Sequence, residues 1–116
     1  MRKILVLPVF LIFFVIAATA YAHPPYDIKI TLNPKTKMLE AVIMHNVSNP
    51  LNHYIKKAEI GLNGKIVNVQ TFSRQGNNIS QTITYLMPDV KDGDMISVEG
   101  ECSISGELTK ELKVNL

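Results

Sequence analysis

The sequence predicts an all-β fold of about seven short antiparallel strands. Three observations predict it. Apolar and polar residues alternate with period two in short segments, turn-forming residues interrupt those segments about every 8 to 12 residues, and no segment shows helical spacing. Ile28, Ile30 and Leu32 alternate with Asp27, Lys29 and Thr31. The polar run Asn33-Pro34-Lys35-Thr36 then turns the chain, and Leu39, Ala41 and Ile43 alternate with Glu40 and Val42. These two segments read as a first hairpin or sheet corner.

Tyr54 to Leu62 and Lys65 to Phe72 flank Asn63-Gly64. That pair tolerates positive φ at both central residues, which suits a two-residue hairpin turn. After the polar loop Ser73 to Asn78, a Thr-rich run carries Ile79, Ile83 and Tyr85 and ends near Met87-Pro88, where proline removes a ladder donor. Asp92-Gly93 turns the chain again. Met95 to Cys102 puts Ile96, Val98, Gly100 and Cys102 on one face, and the tail puts Leu108, Leu112, Val114 and Leu116 on another. The sum is the pattern of an immunoglobulin-like antiparallel β-sandwich. A small closed barrel is the alternative.

Residues 1–22 are different in kind. Arg2 and Lys3 open the chain, Ile4 to Ala20 carries no charge, and Ala20-Tyr21-Ala22 forms the small-x-small site that signal peptidase cuts. The expectation is a signal peptide over 1–22, a single domain over 23–116 beginning at His23, and a periplasmic or secreted location with no membrane attachment after cleavage. A retained anchor is the rival, because the apolar stretch approaches the roughly 20 residues that span a bilayer.

The signal carries two of the 12 basic residues and none of the 10 acidic ones, which leaves 12 − 2 = 10 against 10. A formally neutral domain, whose only basic cluster is Lys56-Lys57, offers no electrostatic footprint for nucleic acid. One cysteine cannot form an internal disulfide. In an oxidising compartment Cys102 is expected to be buried, paired with another molecule or held by a metal.

The candidate chemistry lies in His23, His45, His53 and Cys102, all at segment edges. Strand ends and loops of a sandwich gather at one rim, so residues distant in sequence can close around an ion. Imidazole with thiolate suits iron, copper or zinc rather than calcium or magnesium. The plainer reading has solvated histidines and a cysteine serving as a small core residue. Tyr54 and Tyr85 read as core or rim aromatics. Asn46-Val47-Ser48 and Asn78-Ile79-Ser80 are formal glycosylation sequons.

The segment from His45 to Ile60, with His53-Tyr54-Ile55 and the downstream Glu59, then Asn63-Gly64-Lys65 and Cys102-Ser103-Ile104-Ser105-Gly106, resembles the iron-binding domain of desulfoferrodoxin and neelaredoxin, the superoxide reductases. The resemblance spans nearly all of 23–116. It implies an immunoglobulin-like sandwich holding one non-haem iron. His23, in His23-Pro24-Pro25, fits the first histidine ligand, His45 and His53 match the second and third, and Cys102 matches the axial thiolate. It also implies one-electron reduction of superoxide to peroxide, with an unidentified electron donor.

Three departures stand out. The loop between His45 and His53 is longer than the family's. Ser105 occupies the place of the last histidine ligand, and Ala22 occupies that of a lysine which, in the family, draws in superoxide and helps protonate the product. Two rivals follow: a periplasmic carrier of copper or iron without turnover, and a metal-free interaction module. Copper has a further route here, because a chain beginning at His23 can chelate it through the terminal amine and the ring.

Overall fold

The computed structural model describes residues 23–116, so the segment read as a signal peptide lies outside the described residues. Seven strands run in chain order: β1 (Asp27–Leu32), β2 (Met38–Met44), β3 (Ile55–Leu62), β4 (Lys65–Thr71), β5 (Ser80–Leu86), β6 (Met95–Cys102) and β7 (Glu107–Lys113). They form two antiparallel sheets, β1-β2-β5 and β4-β3-β6-β7. The expected all-β sandwich is thus the observed one. The two sheets have separate orders, so the barrel alternative does not apply.

The period-two patterns explain the layers. In β2 the buried residues are Leu39, Ala41 and Ile43, and in β6 they are Ile96, Val98, Gly100 and Cys102. These rows meet Ile55, Ala58 and Ile60 of β3, together with Ile28, Ile83, Met87, Val90 and Val114, in one core. Fully burying an aliphatic side chain contributes roughly 1.5–3 kcal/mol, so this row of Ile, Leu and Val supplies most of the driving force. Gly100 leaves room for the opposing sheet, because a Cβ there would lie 2.8 Å from Ile43 Cγ2.

The hairpins form as their turns dictate. Asn63 and Gly64 have φ of 51° and 85°, the left-handed values that a two-residue turn between β3 and β4 requires. Asn63 also ties the turn to β6, since its N–H donates to the Met95 carbonyl at 2.8 Å and its Oδ1 accepts from Met95 N–H at 2.9 Å. The first two segments do pair as a hairpin, from Asp27 opposite Met44 to Leu32 opposite Leu39.

The tail departs from expectation at its end. Leu108 and Leu112 are half-buried and Val114 is buried, but Leu116 is 50% exposed. β7 stops at Lys113, and the backbone N–H of Leu116 turns aside to donate to Asp92 Oδ1 at 2.8 Å. The inward row of this edge strand also contains Lys110, whose Nζ reaches Asp27 Oδ1 at 2.8 Å and closes the gap to β1. At the opposite side Tyr85 Oη donates to the Val67 carbonyl at 3.4 Å, so this tyrosine bridges the β5 and β4 edges.

Candidate metal centre

One rim of the sandwich collects the segments that carry His23, His45, His53 and Cys102. His45 directly follows β2, and its N–H donates to the Ile79 carbonyl at 2.9 Å, while Val47 N–H donates to Asn78 at 2.9 Å. These bonds extend the β2–β5 pairing past both strand ends. Tyr26 N–H donates to the Met44 carbonyl at 3.0 Å, which lays the segment 23–26 along β2 and carries His23 over His45. His53 ends a tight turn in which Asn49 O accepts from Asn52 and His53 N–H, and Asn49 Oδ1 accepts from Leu51 N–H. An Asx turn of this kind fixes the loop without burying apolar surface. The extra loop length therefore costs little order at the histidine.

The turn after β6 completes the rim. Cys102 N–H donates to the Gly106 carbonyl at 2.9 Å, and Ser103 exchanges hydrogen bonds with Tyr54 through its N–H and Oγ. Gly106 has φ of 89°, and a Cβ there would lie 2.8 Å from Pro24 Cβ. Only glycine meets both conditions. The Cys102–Gly106 turn thereby packs on the residue next to His23.

The three imidazoles converge. Ring centroids stand 4.9 Å apart for His23 and His45, 4.9 Å for His23 and His53, and 4.8 Å for His45 and His53. One nitrogen from each ring falls within 4.8 Å of the others, close enough to bind a single metal ion. Nitrogens sharing one ion at about 2.0–2.1 Å stand about 3 Å apart, so small ring movements suffice to close the set.

The polar bookkeeping of the rings points the same way. His45 is fully buried, with Nδ1 2.8 Å from Gln75 Oε1 and Nε2 3.1 Å from the His23 carbonyl. His53 Nε2 is buried and has no hydrogen-bond partner. An unpartnered buried polar atom costs about 1–3 kcal/mol, and a metal ion would satisfy it. The His53 pKa is lowered from its ordinary value, first by desolvation and then by the charges of His45 and His23. A neutral ring is the form that ligates.

Cys102 is buried at the end of β6, and its Sγ accepts from Ile104 N–H at 3.4 Å. The thiol is not among the atoms of the imidazole cluster. Its turn nevertheless borders the cluster, because Ile104 lines the same hollow as His23 and His53. That hollow, about 480 Å³, is otherwise walled by Asn46, Val47, Ser48, Asn49 and Asn52. Ser105 is exposed and does not line it. Across segments 23–26, 45–54, 73–79 and 102–106 the only charged residue is Arg74.

Gln75 is the site residue that sequence reasoning missed. It is fully buried, yet it stands in the polar run Ser73-Arg74-Gln75-Gly76-Asn77-Asn78, where neither periodicity nor motif distinguishes it from its solvated neighbours. No family model, curated protein or solved structure matches this chain.

Proposed function

We propose that this chain is an exported, mononuclear iron protein of the superoxide reductase type, located in the periplasm or secreted, with His23, His45, His53 and Cys102 as ligands. The observation that carries the metal-binding part is the convergence of three imidazoles with His53 Nε2 buried and unpartnered. Iron and superoxide rest on the resemblance of the His45–Ile60 and Cys102–Gly106 segments.

Ferrous iron, when bound, supplies one electron to superoxide, which leaves as hydrogen peroxide after taking up two protons. The chain's residues prepare that reaction. His45, buried and held through Nδ1 by Gln75, anchors the set, while the half-buried His23 and His53 face the hollow through which a small oxidant enters. Ile104 N–H supports the Cys102 sulfur, as suits a thiolate. The carboxamides of Asn46, Asn49 and Asn52 offer donors and acceptors to a small polar ligand but no charge. Steering by a nearby cation changes association rates by roughly 10–10³-fold, and Arg74 is the only cation that the rim segments offer for it.

A non-catalytic metal carrier is the second reading, favoured by a rim whose only charged residue is Arg74 and by the exposed Ser105 in place of a ligand. Amine-chelated copper is the alternative cargo of that carrier: a chelate through the terminal amine closes a six-membered ring through His23 Nδ1, which would exchange its exposed contact with the Pro24 carbonyl, at 3.1 Å, for the metal.

The test is anaerobic iron loading of the protein that begins at His23, followed by superoxide decay measured after rapid mixing. One iron per chain with accelerated decay supports the reductase. One iron without acceleration supports the carrier, and no retained metal refutes both.

A further inference from the structure

We propose that Gln75 is a positioning residue that fixes the ring tautomer of His45 and so aims the His45 Nε2 lone pair into the imidazole cluster.

The orientation of the Gln75 amide is determined by its surroundings. Its nitrogen lies 2.8 Å from the His45 carbonyl and 3.0 Å from the Asn77 carbonyl. Both are acceptors, which only an NH₂ group can serve. Its oxygen accepts from Ile55 N–H at 3.2 Å. Exchanging the two atoms would oppose oxygen to two carbonyls and NH₂ to an N–H, three repulsive contacts in a fully buried place. Gln75 Oε1 is therefore the atom 2.8 Å from His45 Nδ1.

An acceptor at that distance requires a hydrogen on Nδ1. In the neutral ring the hydrogen is then absent from Nε2, which carries the lone pair. The Nε2 contact with the His23 carbonyl at 3.1 Å is then lone pair against lone pair rather than a hydrogen bond, and a cation accepted by Nε2 removes the conflict. Fixing a ligand's tautomer through its other ring nitrogen is what hydrogen-bond partners of metal-bound histidines do, and losing such a partner typically costs 10–100-fold in metal affinity.

Gln75 reaches the second ligand as well. Its backbone N–H donates to the Pro50 carbonyl at 3.0 Å, inside the turn that presents His53, and Ile55 lies two residues beyond His53. One residue thus ties the end of β2, the His53 turn and the start of β3. The metal half of this inference rests on the proposed function, whereas the tautomer half does not.

The experiment reads both halves separately. Long-range ¹H–¹⁵N correlation spectra of the metal-free exported protein at pH 8 report which His45 nitrogen carries the hydrogen, and cobalt(II) titration reports affinity. The wild type should show Nδ1–H. Gln75→Met, which removes the acceptor at similar length, should give mixed tautomers and bind cobalt 10–100-fold more weakly. Gln75→Glu keeps the acceptor but sets an oxygen against both carbonyls, so it should retain Nδ1–H and bind cobalt clearly more tightly than Gln75→Met.

A role confined to bracing the loops predicts instead that Glu impairs binding as much as Met, and that result overturns the proposal. So does hydrogen on Nε2 in the wild type, which decides the matter even if Gln75→Met fails to fold. Nδ1–H in a wild type that binds no cobalt would uphold the tautomer lock and refute the metal reading.

Discussion

His53→Ala should be nearly neutral without metal and clearly destabilising with it. In the metal-free protein the ring is half-buried and its Nε2 lacks a partner. Removing it relieves an unsatisfied polar atom, at about 1–3 kcal/mol, while forfeiting packing of similar size, so the net change should stay within about 1 kcal/mol. With cobalt(II) at 100 times its dissociation constant, linkage stabilises the wild type by about 2.7 kcal/mol. If losing a ligand weakens binding by at least the 10–100-fold seen for outer partners, the variant at the same cobalt concentration retains only about 1.4 to 0.4 kcal/mol. The metal-dependent difference is then about 1.3 to 2.3 kcal/mol, or roughly 5–18 °C in melting temperature for a domain of this size. Thermal unfolding followed by circular dichroism, with and without cobalt, measures it. Equal destabilisation in both conditions would show that His53 is a packing residue, and an equal cobalt-induced shift in both proteins would remove it from the ligand set.

Three further perturbations separate the parts of the reading. Cys102→Ser should abolish any thiolate-to-ferric charge-transfer band of the oxidised iron form while leaving the far-ultraviolet spectrum of the sandwich intact; an unchanged visible spectrum would take the sulfur out of the coordination sphere. Gly106→Ala combines left-handed strain with collision against Pro24, whereas Gly93→Ala, at φ of 88° with nothing within 4 Å, carries the strain alone. Both should destabilise by about 1 kcal/mol or more, but only Gly106→Ala should also weaken cobalt binding through His23, and equal affinities would argue against that coupling. Glu99→Gln addresses pH. Partial burial, then the charges of Glu59, Glu107 and Glu101, raise the Glu99 pKa above its ordinary value, so the folded chain holds this proton where the unfolded chain has lost it. The stability this lends is full at low pH and is lost as pH rises through the folded pKa. The variant should therefore exceed the wild type near pH 7 by about 0.2–1 kcal/mol and match it near pH 4 in urea midpoints, and a pH-independent difference would contradict the assignment.

The fold was legible because its strands write their burial directly into sequence. β2 and β6 are flanked by sheet neighbours on both sides, so each inward residue must be apolar and each outward one is free, and the alternation in Leu39–Ile43 and Ile96–Cys102 is complete. The Asn63-Gly64 turn was legible for a different reason, since two successive left-handed residues restrict the choice to a few side chains. The edge strands were harder. β4 has no fully buried residue and β7 places Lys110 in its inward row, because an edge closes by side-chain bridges to the other sheet rather than by continuing the core. The exposure of Leu116 follows from the same cause, as no neighbouring strand extends beyond Lys113 to cover it.

The site was legible only where chemistry restricts residue type. Three histidines in a chain with few are conspicuous, and their places at segment ends suggested the shared rim that the sheets create. Nothing in the spacing of 23, 45 and 53 encodes ring separations near 4.9 Å; those come from the Tyr26–Met44 and His45–Ile79 hydrogen bonds, which are backbone interactions open to any residue but proline. Gln75 was invisible for a complementary reason. A glutamine in a polar loop and a buried glutamine serving four partners have the same sequence, and only the positions of His45, Pro50, Ile55 and Asn77 around it distinguish them. The histidines of such a rim can therefore be read from composition, while the buried glutamine that contacts one of them must be read from geometry. The sharper test of this centre consequently lies at position 75, where a change leaves every proposed ligand in place and alters only how one of them is aimed.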